Sequence, residues 1–113
     1  MDVLSLDDYA ATSPEGFTKR VFLQSPGGLV FRLNFEPGQS LPPHTHGESE
    51  IAVQVLEGEG EVRVDDRVEP VRAGQLVRCA GSETFSVNNT GRSRLSLLVF
   101  LYPGDPRFAS EVR

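Results

Sequence analysis

The sequence predicts an all-β protein, an antiparallel sandwich or barrel. Turn-forming residues recur at short intervals, at Ser25-Pro26-Gly27-Gly28, Glu36-Pro37-Gly38, Gly58-Glu59-Gly60, Asp65-Asp66, Ala73-Gly74, Asn88-Asn89-Thr90-Gly91 and Pro103-Gly104. Glycine supplies positive φ, proline fixes a bend, and Asn and Asp bond to their own backbone, so each cluster marks a chain reversal. The apolar runs between these clusters are short, and none longer than a turn keeps a helical period. Together they give about eight strands.

The elements follow in order. Asp2, Asp7, Asp8 and Glu15 precede the first basic residue, Lys19, so most of the net charge of −5 lies at the N-terminal head. Residues 1–18 read as a solvated acidic arm with a weak helical tendency over Leu4–Ala11, and Leu4, Leu6 and Tyr9 offer side chains for docking on a neighbouring subunit. In Lys19–Gln24, Val21, Phe22 and Leu23 put apolar groups on both faces, the mark of a strand buried twice or paired across an interface. Leu29, Phe31, Leu33 and Phe35 alternate with Val30, Arg32 and Asn34, which predicts a half-buried strand with Arg32 toward solvent. Ile51–Leu56 is apolar except for Gln54. Glu61–Val64 and Arg67–Val71 flank Asp65-Asp66 as a tight hairpin. Gln75–Cys79, Phe85–Asn88 and Leu95–Tyr102 complete the domain, residues 19–103, and 104–113 read as a tail.

Composition excludes several classes of function. The 113 residues suffice for one core, and with 24% charged residues and a pI near 4.9 the chain repels nucleic acid and anionic lipid. No run reaches the roughly 18 apolar residues of a membrane span. Cys79 is the only cysteine, which precludes an internal disulfide and suggests a reducing cytoplasm, and the acidic head is unlike a secretory signal. Cys79 itself reads as a small core side chain or a pocket group. Arg72 and Arg78, like Arg32, are expected at the surface, although one of the three inside the barrel would be able to pair with an anionic substrate.

The two histidines of the chain lie together in Pro42-Pro43-His44-Thr45-His46. Residues two apart on an extended strand point the same way, so both imidazoles are able to converge. With a carboxylate nearby, Glu50 foremost, they would suit a divalent first-row metal; otherwise they are polar loop residues.

The order Gly38, His44, His46, Glu50 and then Val55-Leu56-Glu57-Gly58-Glu59-Gly60-Glu61-Val62 resembles the first signature of the cupin superfamily, and Gly74 to Asn89 is similar to its second. The resemblance spans Leu29 to Leu101. It implies an antiparallel jelly-roll β-barrel, a two-fold homodimer, and a metal held inside the barrel. Three departures bear on function. Ala80 and Phe85 stand where the pattern has a proline and the third histidine. Seven residues rather than six separate Glu50 from Gly58. Counted back from Gly58, the carboxylate position falls on Ile51.

Two arrangements are open. In one, a bulge over Gly47–Ser49 turns Glu50 inward, and His44, His46, Glu50 and Gln54 form a reduced site that holds iron, nickel, manganese or zinc weakly. In the other, Ile51, Val53 and Val55 face inward with Phe85, and the histidines contact a ligand directly. Phe85, Phe31 and Cys79 are the expected pocket lining. The corresponding functions are a metal-binding barrel that takes a small polar ligand, or a metal-free small-molecule binding or sensing module. Whether the chain catalyses a reaction is open in both.

Overall fold

The structure, a computed structural model, describes residues 1–113. Nine strands form: β1 Thr18–Ser25, β2 Gly28–Phe35, β3 Ser40–His44, β4 Glu50–Glu57, β5 Glu59–Val64, β6 Arg67–Arg72, β7 Leu76–Cys79, β8 Phe85–Asn88 and β9 Leu95–Tyr102. Two short 3₁₀ turns, Leu6–Tyr9 and Pro106–Phe108, are the only helical elements, and no helix is long and apolar enough to cross a membrane. The strand beyond the expected eight is β3, whose two prolines hide it from a propensity reading. It lies at a sheet edge, where a missing N–H is tolerated.

The strands pair antiparallel in two sheets, ordered β1-β2-β9-β4-β7 and β3-β8-β5-β6. Their inner faces enclose the core, in which Leu29, Phe31, Leu33 and Phe35 of β2 meet Ile51, Val53 and Val55 of β4 and Leu95, Leu97, Val99 and Leu101 of β9. This is the barrel-like jelly roll that closes most of its edges by packing sheet on sheet. The β5–β6 hairpin turns at Asp65-Asp66, with Asp65 at φ 52, a conformation that an aspartate accepts more readily than most residues. Gly58, between β4 and β5, is required: its φ is +80, and a Cβ there would lie 2.2 Å from the Arg94 carbonyl oxygen.

The outer face of β2 departs from expectation. Arg32 and Asn34 are buried, at 1% and 0% exposure, because the N-terminal segment lies across them instead of extending into solvent. Arg32 donates from Nε to Asn34 Oδ1 (2.8 Å), from Nη1 to the Leu6 carbonyl (3.0 Å) and from Nη2 to Glu57 (2.9 Å). Asn34 donates to the carbonyl of Tyr9 and to Thr18 Oγ1, and accepts from Ser96 Oγ. Arg94 reaches the Ala10 carbonyl and Glu57. The strand alternates as predicted; what sequence alone missed is that its polar side is covered by a segment offering backbone carbonyls to these donors.

Glu57 thus serves two arginines. The hydrogen bond from Arg94, reinforced by that from Arg32, holds its carboxyl below the ordinary value of 4.5. A depressed carboxyl contributes stability that is complete above the unfolded value and lost as pH falls through the folded one. The wild type is therefore expected to lose stability progressively below about pH 4.5. Glu57→Gln should start about 1–2 kcal/mol lower at pH 7, a modest figure because the carboxylate is partly solvated, and lose less on acidification. Thermal melts from pH 7 to pH 3 check this; parallel curves would exclude Glu57 as the source.

Candidate functional site

One end of the barrel holds a cavity of about 230 Å³. Phe31 and Leu33 of β2, Ile51 of β4, Val99 of β9 and Phe85 of β8 form its apolar wall, and Leu41 and His44 of β3 with His46 form its mouth. Lys19 enters from β1, where pairing opposite Leu33 sets its side chain on the inner face. The C-terminal segment returns over the opening with Phe108, Ser110 and Val112. It is pinned there by two backbone hydrogen bonds between Lys19 and Val112, of 2.7 and 3.0 Å, and by Glu111, which accepts from the Val21 N–H.

The histidines meet as their spacing predicts, with ring centroids 4.3 Å apart. His44 Nδ1 bonds to the Pro42 carbonyl at 2.9 Å, so the proline-stiffened strand sets the angle of the ring. His46 lies on the loop after β3, where its backbone N–H donates to the Gly81 carbonyl at 2.8 Å. Its side chain is buried beside Phe108 and Phe85, at centroid distances of 5.1 and 6.1 Å. Nδ1 has no hydrogen-bond partner. Burial first, then the charges of His44 and Lys19, push the His46 pKa down to about 4, so at neutral pH the ring is uncharged and has one N–H to donate.

Glu50 and Gln54 do not join them. Both are exposed on the outer face of β4, Glu50 opposite Tyr102 and Gln54 between Leu98 and Leu76. The register irregularity of β4 lies between Val55 and Glu57, not over Gly47–Ser49, and leaves Ile51, Val53 and Val55 on the core side. Turning Glu50 and Gln54 inward would expose those three side chains, a loss of roughly 1.5–3 kcal/mol each. The arrangement with Ile51 inward is the one that forms.

Cys79 also lies apart from the histidines. It faces a different cleft, between β6 and β7, with Val62, Val64, Val71 and Val77. Burial, with Glu83 and Asp65 adding, pushes its thiol up to about 11, which makes it a packing group and not a nucleophile. Phe31 and Phe85 do line the histidine cavity.

A divalent ion would find few donors here. No three His, Cys, Asp or Glu side chains converge anywhere in the chain. Beside the imidazoles stand Ile51, Phe85 and the Lys19 ammonium, which offer no lone pair and, from Lys19, repulsion. This donor set does not fit a metal held by protein ligands alone. Sequence reasoning missed Lys19 and the returning C-terminal segment. Lys19 shares the parity of Val21, which places it on the inner face, but nothing local marks residues 104–113 as a cover for the barrel.

Fold and cavity together define a small antiparallel double-sheet barrel with a ligand-sized chamber at one end. The chain belongs to the cupin family: the family model described as "Cupin domain" matches residues 31–101. The oxalate-binding protein of Thermotoga maritima is 34% identical over 74 residues, which cover 65% of this chain and 60% of that protein. Among solved structures, TT1209 of Thermus thermophilus superposes with a TM-score of 0.86 at 29% identity, over 91% of this chain and 98% of its own. A conserved protein with a double-stranded β-helix domain from Klebsiella pneumoniae gives 0.87 at 21% identity, over 99% and 96%.

Proposed function

We propose that this cupin-domain protein binds a small organic molecule in the histidine cavity through its own side chains, without a metal. The observation that carries this reading is the composition of the lining. Phe31, Leu33, Ile51, Phe85 and Val99 supply an apolar body, while Lys19, His44 and His46 are its only titratable groups. Apolar walls with a few convergent polar groups are the usual make-up of a ligand site. At about 230 Å³ the cavity suits a compound smaller than a drug, since drug-sized sites run from about 300 Å³ upward. The name of the Thermotoga relative, an oxalate-binding protein, lends support to small-molecule binding.

A second reading has one observation in its favour: the 4.3 Å approach of the two imidazoles would let them grip a metal weakly, with ligand oxygens completing the coordination. Elemental analysis of untagged protein separates the two. After incubation with iron, nickel, manganese and zinc salts in turn, the metal-free reading expects no stoichiometric metal, and the same result for a His44→Ala, His46→Ala double variant. Near-stoichiometric metal that disappears in the double variant would establish the second reading instead. A thermal-shift screen of small organic compounds completes the test. A ligand at a hundred times its Kd should raise stability by about 2.7 kcal/mol, or about 10 °C for a chain of this size. Phe85→Trp, which fills the cavity, should abolish the shift.

A further inference from the structure

Lys19 is a cation without a counter-ion. Its ammonium lies 4.4 Å from the centroid of the Phe31 ring and donates to the Phe108 carbonyl. No acidic residue lines the cavity around it, although the chain as a whole carries a net charge of −5. Burial, with nothing anionic to offset it, lowers the pKa of Lys19. A second polar group nearby is also unanswered: His46, 4% exposed, has a buried Nδ1 with no partner among the protein groups, which leaves it free to bond a ligand atom in the cavity. The cavity therefore offers one uncompensated positive charge and one free ring nitrogen, set among the apolar side chains of Phe31, Ile51 and Phe85.

We propose that Lys19 and His46 form the head of a subsite for compact monocarboxylates with an apolar body, in which the ligand's carboxylate takes the place of the Phe108 carbonyl on the Lys19 ammonium. This rests on the reading of the cavity as a small-molecule site and narrows it to one ligand class. A carboxylate makes a stronger, charge-assisted bond to an ammonium than a carbonyl does, and supplies the counter-charge that Lys19 lacks. The neutral imidazole of His46 donates to the second oxygen. A dicarboxylate as short as oxalate fits poorly, because Lys19 is the one lysine or arginine in the lining and a second carboxylate would be buried among Phe31, Ile51 and Phe85 without a matching fixed charge. Space is sufficient: a cavity of about 150 Å³ accommodates benzene.

Calorimetric titration of the full chain with benzoate, its neutral analogue benzamide, and oxalate tests the assignment. Benzoate should bind about tenfold or more tightly than benzamide, the value of one charge-assisted bond, and oxalate should be weaker than benzoate by at least the same factor. Lys19→Met should remove the preference for benzoate over benzamide, with a cooperative thermal melt showing that the variant is folded; Lys19→Arg should keep the preference. Equal binding of benzoate and benzamide, untouched by Lys19→Met, overturns the assignment while the wider small-molecule reading stands. Oxalate binding as tightly as benzoate overturns the apolar-body requirement. Silence from all three compounds overturns the assignment, and the wider reading is then decided by the thermal-shift screen and the Phe85→Trp variant.

Discussion

Asn34→Leu is expected to destabilise the protein by about 4 kcal/mol, a substantial part of the roughly 5–15 kcal/mol that holds a domain of this size together. Leucine keeps the branched outline of the amide but is bulkier, so some overpacking adds to the loss, and the larger share is polar. Asn34 is fully buried and makes four hydrogen bonds, accepting from Arg32 Nε and Ser96 Oγ and donating to the Tyr9 carbonyl and Thr18 Oγ1. Removing the amide leaves a guanidinium N–H, a hydroxyl and a carbonyl without their partner in a dry layer, at about 1–3 kcal/mol each before relaxation. Some recovery follows as Thr18 keeps its bond to the Ala11 carbonyl and Arg32 keeps Glu57. Thermal denaturation reads the loss as a fall of about 15 °C. The N-terminal segment should loosen first, with faster amide exchange over residues 6–11 than over β9. A change below about 1 kcal/mol would show that the layer is wet and that the buried amide is not its organising group.

Gly81→Ala should have the next largest effect, and it should reach the ligand cavity. The added Cβ would lie 2.0 Å from the Ser49 carbonyl oxygen and 2.6 Å from that of Gly47. Both are backbone atoms, so a rotamer change cannot relieve the clash; the 47–49 segment or the β7–β8 loop has to move. Overpacking of this kind costs about 3 kcal/mol. The same contact positions His46, whose N–H donates to the Gly81 carbonyl, while Ser49 Oγ ties the loop to the Pro103 carbonyl at 2.7 Å. The variant should therefore melt about 10 °C lower and lose ligand binding even at temperatures where it remains folded. Melting, together with benzoate titration well below the melting transition, checks both parts. Normal binding in a destabilised variant would mean that the loop moves without carrying His46.

The two variants act on features with different visibility in the sequence. Asn34 sits in a strand whose alternation was plain, yet its environment was not. Period two assigns Arg32 and Asn34 to the face opposite the core, and whether that face meets water depends on where a distant N-terminal segment comes to rest. That segment carries most of the net charge and so reads as solvated. It docks through its carbonyls, which every sequence has. The candidate site divides in the same way. His44 and His46 were legible as a pair because extended backbone aligns residues two apart. Glu50 and Gln54 were legible only as one of two parities, and the inward demand of Ile51, Val53 and Val55 decided against them.

By itself, then, the sequence determined the all-β class, the turns, the inward face of β2 and the proximity of the two imidazoles, because each depends on local backbone geometry and a short period. The tertiary structure decided which side of β4 faces the core, where Lys19 directs its charge and what covers the barrel mouth. Those outcomes depend on contacts between distant segments, such as Lys19 with Phe108 and Val112. Such contacts are selected by the total apolar area buried and polar groups satisfied across the whole chain, a sum that no window of sequence contains.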